Sequence, residues 1–161
     1  MSRTKVIANF SRIHLNFVPD RYDREPLLPV LPGSPMRLRV EVERLARYLR
    51  SEFDYGMQFD RNDSDPYAAY LLTDSGSAPS VWAGACCFRE RDYAAAGDVQ
   101  TLDWVWIHPY LRRKGLLARH WPTLRANHGD FAVEPPVSEA MARFLHKHNA
   151  NSRFAAYYQR G

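Results

Sequence analysis

The sequence has few cysteines and no long apolar run, and both absences exclude whole classes of protein. Only 2 of the 161 residues are cysteines, the adjacent Cys86 and Cys87. Neighbouring strand residues point to opposite faces, so the pair predicts two small apolar strand residues in a reducing compartment rather than a disulfide. No run approaches the roughly 18 apolar residues that span a membrane. The interrupted N-terminal segment is a poor signal peptide, which predicts a cytoplasmic protein with no membrane partner.

Acidic residues are missing from one long segment of the chain. Trp104 to His128 contains no Asp or Glu, but it has 5 Arg or Lys residues and 3 His. Such a segment is either the solvated face of a helix or a site for an anionic ligand. It lacks the interleaved aromatics and wider basic surface of a nucleic-acid binder. No Cys or carboxylate stands at ligand spacing beside His146 and His148, which argues against a metal site.

The order of predicted elements fits a single domain over residues 1–161, with a proline-rich arm at 18–35. Alternation predicts a first strand at Ile13–Phe17. The five prolines of the arm forbid regular structure and predict an extended loop. Ser34-Pro35 predicts the start of a helix, and Gly56 predicts its end. One apolar stripe marks its buried face: Leu38, Val42, Leu45, Leu49 and Phe53.

The second half of the chain predicts a three-strand antiparallel meander followed by alternating helices and strands. The meander strands are Tyr67–Leu72, Val81–Phe88 and Val99–Ile107, with a loop over Arg91–Asp98. The later elements are a helix at Gly115–Asn127, a strand at Asp130–Glu134, a helix at Val137–His148 and a strand at Phe154–Tyr158. Pro122 falls inside the first of these helices, where it predicts a bend or an irregular first part.

The turn between the third meander strand and the next helix carries the most specific motif. The sequence runs from a buried strand through Pro109 into Arg112-Arg113-Lys114-Gly115 and then the helix. Free backbone N–H groups and the positive end of the helix dipole bind phosphate at such a position. Gly115 allows a ligand to approach closely, and the three basic side chains add charged donors. The alternative is an ordinary turn with surface basic residues.

This turn resembles the acetyl-CoA loop of the GNAT (Gcn5-related N-acetyltransferase) superfamily, whose pattern is Gln/Arg-x-x-Gly-x-Gly/Ala. Arg112 matches the first position and Gly115 the fourth, whereas Leu117 departs from the sixth. The element order from Ser34 to the C-terminus is also similar. The resemblance implies an α+β, three-layer fold with a mixed, mostly antiparallel sheet between helices. It implies an acetyl-CoA-dependent N-acetyltransferase, with acetyl-CoA as co-substrate and no metal.

The resemblance also assigns roles to individual residues. The pantetheine arm would pair with the backbone of Val105 and Ile107, and the pyrophosphate would contact the turn and first helical residues, Arg112, Arg113, Lys114, Gly115, Leu116 and Leu117. Two carboxylates compete as the general base that an amine acceptor requires. Asp103 lies in an apolar strand, where burial favours the protonated form, unless an arginine pairs with it. The resemblance also implies that the strand before the turn separates from its neighbour. Glu134 ends the strand that should flank this split, and we favour Glu134 as the base.

The remaining catalytic and acceptor features are less clearly specified. Phe144 stands by spacing where many family members have a tyrosine that protonates the thiolate, so the acid is absent or comes from His146, Tyr157, Tyr158 or water. A more distant likeness to the cohesin acetyltransferases rests on Phe131-Ala132-Val133-Glu134-Pro135. The acceptor is an amine of a small molecule or a protein lysine or N-terminus, and a homodimer is compatible. Asp60, Asp63 and Asp65 either attract a cationic amine or form a solvated loop. A non-catalytic binding module is the alternative function.

Overall fold

A five-stranded sheet with helices on both faces forms the architecture. A computed structural model describes residues 13–74, 79–93 and 96–158. The strands are β1 (Leu27–Val30), β2 (Ala68–Asp74), β3 (Val81–Tyr93), β4 (Gly97–Ile107) and β5 (Ala132–Val133). The helices are α1 (Met36–Phe53), α2 (Leu116–His128) and α3 (Glu139–His148). The strands lie in the order β1-β2-β3-β4-β5, antiparallel except for the parallel β4/β5 pair, which confirms the predicted fold class.

Each face of the sheet has its own apolar core. Helix α1 covers one face with Leu38, Val42, Leu45 and Leu49, all buried as the stripe predicts, whereas Phe53 is 38% exposed. Helices α2 and α3 cover the other face with buried side chains that include Trp121, Leu124 and Leu145. Burying the stripe supplies most of the free energy that holds a helix of this kind on a sheet.

The ends of α1 differ from the prediction. The N-cap is Pro35 and no side chain caps it, because the Ser34 hydroxyl instead accepts a hydrogen bond of 2.8 Å from the Leu31 N–H. At the other end the helix stops at Phe53, ahead of Gly56. Asp54 follows in the left-handed conformation, with φ of 56°, and this conformation terminates the helical path.

The proline-rich arm is more regular than its composition predicts, and the prediction of irregular structure throughout was wrong. Strand β1 lies inside it and pairs with β2 at the edge of the sheet, where Pro29 can be tolerated because one side of an edge strand needs no donor. A short 3-10 turn at Asp20–Tyr22 precedes it. The strand predicted at Ile13–Phe17 is reduced to one isolated bridge between Phe17 and Val81.

The C-terminal strand predicted at Phe154–Tyr158 was also wrong, because this segment contains a 3-10 helix at Ala155–Tyr158. Asp130 holds the chain just before it. Its carboxylate accepts hydrogen bonds from the Ser152 hydroxyl (2.6 Å) and the Arg153 N–H (2.9 Å), and it pairs with Arg125. These bonds tie residues 152 and 153 to the segment just after α2, and the chain then enters the 3-10 helix, which packs against α3.

The hairpin of β3 and β4 is longer than predicted, and β5 is shorter. Pairing continues from Gly84↔Ile107 out to Tyr93↔Gly97, so most of the loop predicted at Arg91–Asp98 is strand. Pro122 lies within α2 on its exposed side, and the helix runs continuously through it. Among the described residues, no helix is long and apolar enough to cross a membrane.

Candidate active site

A split between β4 and β5 opens a cleft beside the sheet. The two strands pair only at Thr101↔Ala132 and Leu102↔Val133, and the Glu134 N–H adds one more hydrogen bond of 2.9 Å to the Leu102 carbonyl. Beyond that point β4 continues to Ile107, and no strand of the described chain pairs with it on this side. The gap between the strands forms a cleft of about 980 Å³. The cleft is lined by both strand ends, the turn before α2, and α3.

A bulge in β4 determines which backbone groups face this cleft. Its register against β3 shifts at Asp103, the extra residue between the pairs made by Leu102 and Trp104. The Leu102 carbonyl faces β5, whereas the His108 N–H donates to a β3 carbonyl at 2.9 Å. Along a regular strand, successive residues direct their N–H and C=O groups to opposite sides. Leu102 and His108 are an even number of residues apart, so without a bulge both would direct these groups toward the same neighbouring strand. The bulge reverses the phase, and Val105 and Ile107 therefore direct backbone polar groups into the cleft.

Side chains of β4 divide the cleft between the two faces of the sheet. Val105 and Ile107 belong to the cluster formed with α2 and α3. Trp104 and Trp106 belong to the cluster formed with α1 and are almost fully buried. The cleft therefore connects the α2–α3 face to the α1 face through the sheet itself.

The turn from β4 into α2 presents the N-terminus of the helix to the cleft. Pro109–Leu111 form a 3-10 turn, in which the Tyr110 N–H donates to His108 Nδ1 at 3.2 Å. Arg113 and Gly115 both adopt positive φ, 63° and 78°. Within the described residues no side chain caps α2, so the first N–H groups of the helix remain available to an anion. Leu116 and Leu117 both line the cleft.

Arg112 is engaged within the protein, which its motif position did not reveal. Its guanidinium forms two hydrogen bonds of 2.6 Å with the Glu52 carboxylate and a third of 2.8 Å with the Ile107 carbonyl. Trp106 donates its indole N–H to the same carboxylate at 2.8 Å. Arg113 and Lys114 are exposed, and neither makes an ion pair within the described part of the chain.

Asp103 lies beside the cleft but is held by two arginines. Its side chain is 2% exposed, and Arg91 contacts both carboxylate oxygens at 3.0 and 2.7 Å. Arg89 adds a contact of 3.3 Å and also pairs with Asp63 at 2.8 Å. These contacts match the ion-paired alternative for Asp103. They also show that Asp63 is paired with Arg89, which leaves less of the acidic loop to attract a cationic amine.

Glu134 lies where β5 ends and the cleft begins. Tyr93 donates its hydroxyl to Oε2 at 2.8 Å, and no hydrogen bond to Oε1 is made by any described residue. Burial and the neighbouring carboxylate raise the pKa of Tyr93, so its hydroxyl stays protonated as a donor. Tyr93 is a site residue that the sequence did not indicate, because the hairpin that brings it to Glu134 is long-range structure.

Phe144 of α3 also lines the cleft, where it packs against Trp121 and His148 with ring centroids 5.0 and 4.5 Å apart. His146 and His148 are exposed. The side chains of Tyr157 and Tyr158 lie outside the described part of the structure. No group of three or more potential metal ligands occurs among the described residues.

Comparison with known proteins identifies the fold. No family model matches the chain, and no curated protein matches its sequence. Among solved structures it is similar to the acetyltransferase domain of xEco2, with 12% identity, a TM-score of 0.57 and coverage of 84% of this chain and 91% of that one. It is also similar to a ribosomal-protein-alanine N-acetyltransferase from Brucella melitensis biovar Abortus 2308, at 16% identity and a TM-score of 0.51, covering 76% and 90%.

The chain therefore has the GNAT fold, as predicted from the turn and the element order. At this identity the likeness concerns the fold, and function has to be argued from the site. The more distant likeness to the cohesin acetyltransferases stays a prediction.

Proposed function

We propose that the protein is an acetyl-CoA-dependent N-acetyltransferase that acts on an amine acceptor by direct attack in a ternary complex. The split between β4 and β5 carries this proposal, because it joins three features in one cleft. These are outward-facing backbone groups at Val105 and Ile107, a helix N-terminus after Gly115 that no described side chain caps, and a Glu134 carboxylate whose Oε1 accepts no hydrogen bond from a described residue.

The cleft is suited to an extended, anionic cofactor. Its volume of about 980 Å³ is at the upper end of small-molecule sites. The backbone of Val105 and the N–H of Ile107 would hold the pantetheine amides, because the Ile107 carbonyl already accepts a hydrogen bond from Arg112. The N–H groups at the start of α2, with Arg113 and Lys114, would hold the pyrophosphate. Acetyl-CoA would supply an activated acetyl thioester at the middle of the split.

Glu134 is the residue we assign as the general base. Because Tyr93 occupies Oε2, Oε1 remains to take a proton from the acceptor amine, directly or through one water. Asp103 serves instead to anchor Arg89 and Arg91 beside the cleft. Phe144 has no hydroxyl, so we assign protonation of the leaving thiolate to solvent.

Thiol release from acetyl-CoA over a panel of small amines and peptides tests this function, with a colorimetric thiol reagent as the readout. The protein itself should give no background, because Cys86 and Cys87 are buried and burial raises the pKa of the Cys87 thiol to about 12. We expect no thiols to titrate in the native protein and two after denaturation. Acceptor-dependent release supports the proposal, and binding of acetyl-CoA without release on any acceptor contradicts it.

A non-catalytic CoA-binding module is the second candidate. Two departures from the GNAT pattern favour it. Leu117 places a large side chain at the first helical turn, and Phe144 removes the hydroxyl from the expected acid position. Glu134→Gln separates the two functions. A module binds acetyl-CoA equally well with either residue and releases no thiol, whereas an enzyme loses turnover in the variant. The small-molecule or protein nature of the acceptor, a homodimer and a cytoplasmic location stay predictions.

A further inference from the structure

Arg112 and Glu52 form an extensively bonded polar contact at the cleft. The guanidinium spans three acceptors, both Glu52 oxygens at 2.6 Å and the Ile107 carbonyl at 2.8 Å. The Glu52 side chain is only 9% exposed, and the Trp106 indole N–H donates to it at 2.8 Å. The Trp106 ring in turn stacks on Tyr48 of α1, with centroids 5.3 Å apart. We call this set, Glu52, Trp106 and Arg112, the clamp.

Within the clamp, Arg112 no longer contributes to the positive charge that the turn offers to a phosphate. A bidentate carboxylate pair satisfies the side of the guanidinium that would grip a phosphate and neutralises its charge at close range. Arg113 and Lys114 are exposed and make no such pair within the described residues. If phosphate binding needed the Arg112 side chain, a buried carboxylate 2.6 Å from it would work against that binding.

The clamp instead fixes where the turn begins. Arg112 is extended, with φ of −73° and ψ of 155°, and Arg113 follows at φ of 63°. A non-glycine residue in this left-handed region is strained by about 1 kcal/mol or more and persists only where its surroundings hold it. The bonds from Arg112 to Ile107 and to the last turn of α1 hold the near end of the turn. The α2 helix holds the far end.

We propose that Arg112 is a positioning residue, which acts through Glu52 to aim the backbone N–H groups of residues 113–117 into the cleft. The side chain acts on the cofactor site through the backbone and without contacting the cofactor. This inference rests on the proposed function for its binding readout. It also ties α1, the helix on the opposite face of the sheet, to the cofactor turn.

Glu52→Gln distinguishes positioning from direct phosphate binding, because the two roles predict opposite signs. If Arg112 bound phosphate, removing the competing negative charge would free it and tighten binding of coenzyme A. If Arg112 positions the turn, losing the charged pair loosens the turn and weakens binding, by about tenfold. Glu41→Gln is the matched control. Glu41 is on the same helix, its side chain is 10% exposed and pairs with Arg44 at 3.0 Å, and it does not line the cleft.

Arg112→Lys provides a second, independent variant. Lysine keeps the charge but cannot form the bidentate pair together with the bond to the Ile107 carbonyl. Positioning predicts that Arg112→Lys weakens coenzyme A binding nearly as much as Arg112→Ala. Full retention of affinity by the lysine variant would assign the side chain a simple charge role and overturn the proposal.

The experiment combines calorimetric titration of coenzyme A with hydrogen–deuterium exchange over residues 112–118, on the full chain. We expect Glu52→Gln to bind about tenfold more weakly and to exchange faster in this segment, while Glu41→Gln does neither. Unchanged exchange in the segment, or tighter binding, overturns the clamp. If the wild type binds no coenzyme A, the proposed function fails, whereas the exchange comparison still decides whether the clamp holds the turn.

Discussion

The two walls of the cleft are built in different ways. The cofactor wall, defined as Val105, Ile107 and residues 113–118, comes from one continuous stretch of chain and includes the N-terminus of α2, which no described side chain caps. The carboxylate wall, defined as Glu52, Asp103 and Glu134, comes from three distant segments. Two of its three carboxylates are already ion-paired with arginine.

This difference separates binding from chemistry. A continuous strand, turn and helix can be recognised by spacing, because each local step determines the next. A wall assembled across the sheet depends on register and on pairing partners, which substitution at one position can disturb. Apart from Glu52, which holds the cofactor turn through Arg112, changes in the carboxylate wall should therefore leave cofactor binding nearly intact, and turnover should depend on Glu134.

The largest expected effect concerns the cofactor wall. Gly115→Glu should weaken acetyl-CoA binding about a hundredfold or more, because a carboxylate about 4 Å from phosphate costs several kcal/mol at an effective dielectric near 20. Titration calorimetry measures the loss. Gly97→Glu is the matched control, since Gly97 has a similar φ of 70°, also with no heavy atom near a new Cβ, and lies at the far end of β4. Equal losses in both variants would mean that strain, and not charge, is responsible.

Next in size is the effect on the carboxylate wall. Glu134→Gln should lower kcat by about 100-fold or more, the usual loss when a general base is removed, and leave the KM for acetyl-CoA nearly unchanged. Steady-state thiol release measures both constants. A rise in KM at constant kcat would move Glu134 from the chemistry to the binding of acetyl-CoA.

Asp103→Asn should mainly affect stability. The variant leaves Arg89 and Arg91 without their shared charged partner, so the free energy of unfolding should fall by about 2 kcal/mol. Urea denaturation measures the change, while kcat per folded molecule should stay within a few-fold. A loss of kcat as large as that of Glu134→Gln, at unchanged stability, would reassign the base to Asp103.

The features that could be predicted from the sequence follow the same division between the two walls. The Arg112–Gly115 turn, the α1 stripe and the three meander strands could be predicted, because each depends on neighbours in the chain. Tyr93 and Glu52 could not, because the register of a long hairpin brings Tyr93 to Glu134 and the packing of α1 brings Glu52 to the cleft. The missed β1 and the wrongly predicted last strand have the same origin, in edge pairing with β2 and in the bonds of Asp130 to residues 152 and 153.

The smallest expected effect is a gain. Phe144→Tyr places a hydroxyl at the cleft, and kcat should rise by less than the roughly 100-fold that a positioned general acid supplies. Phe144→Leu controls for the packing against Trp121 and His148. If the tyrosine variant loses activity as the leucine variant does, the ring serves packing alone and solvent suffices as the acid.

Acetyl-CoA binding by the wild-type protein tests the central claim most directly, that the split between β4 and β5 with its turn is a cofactor site. Calorimetric titration should give one site per chain, with a dissociation constant in the micromolar range typical of enzyme substrates, roughly 1 μM to 1 mM. Gly115→Glu should weaken this binding about a hundredfold or more, and Gly97→Glu should leave it unchanged. Absence of any heat with the wild type at millimolar acetyl-CoA would contradict the account.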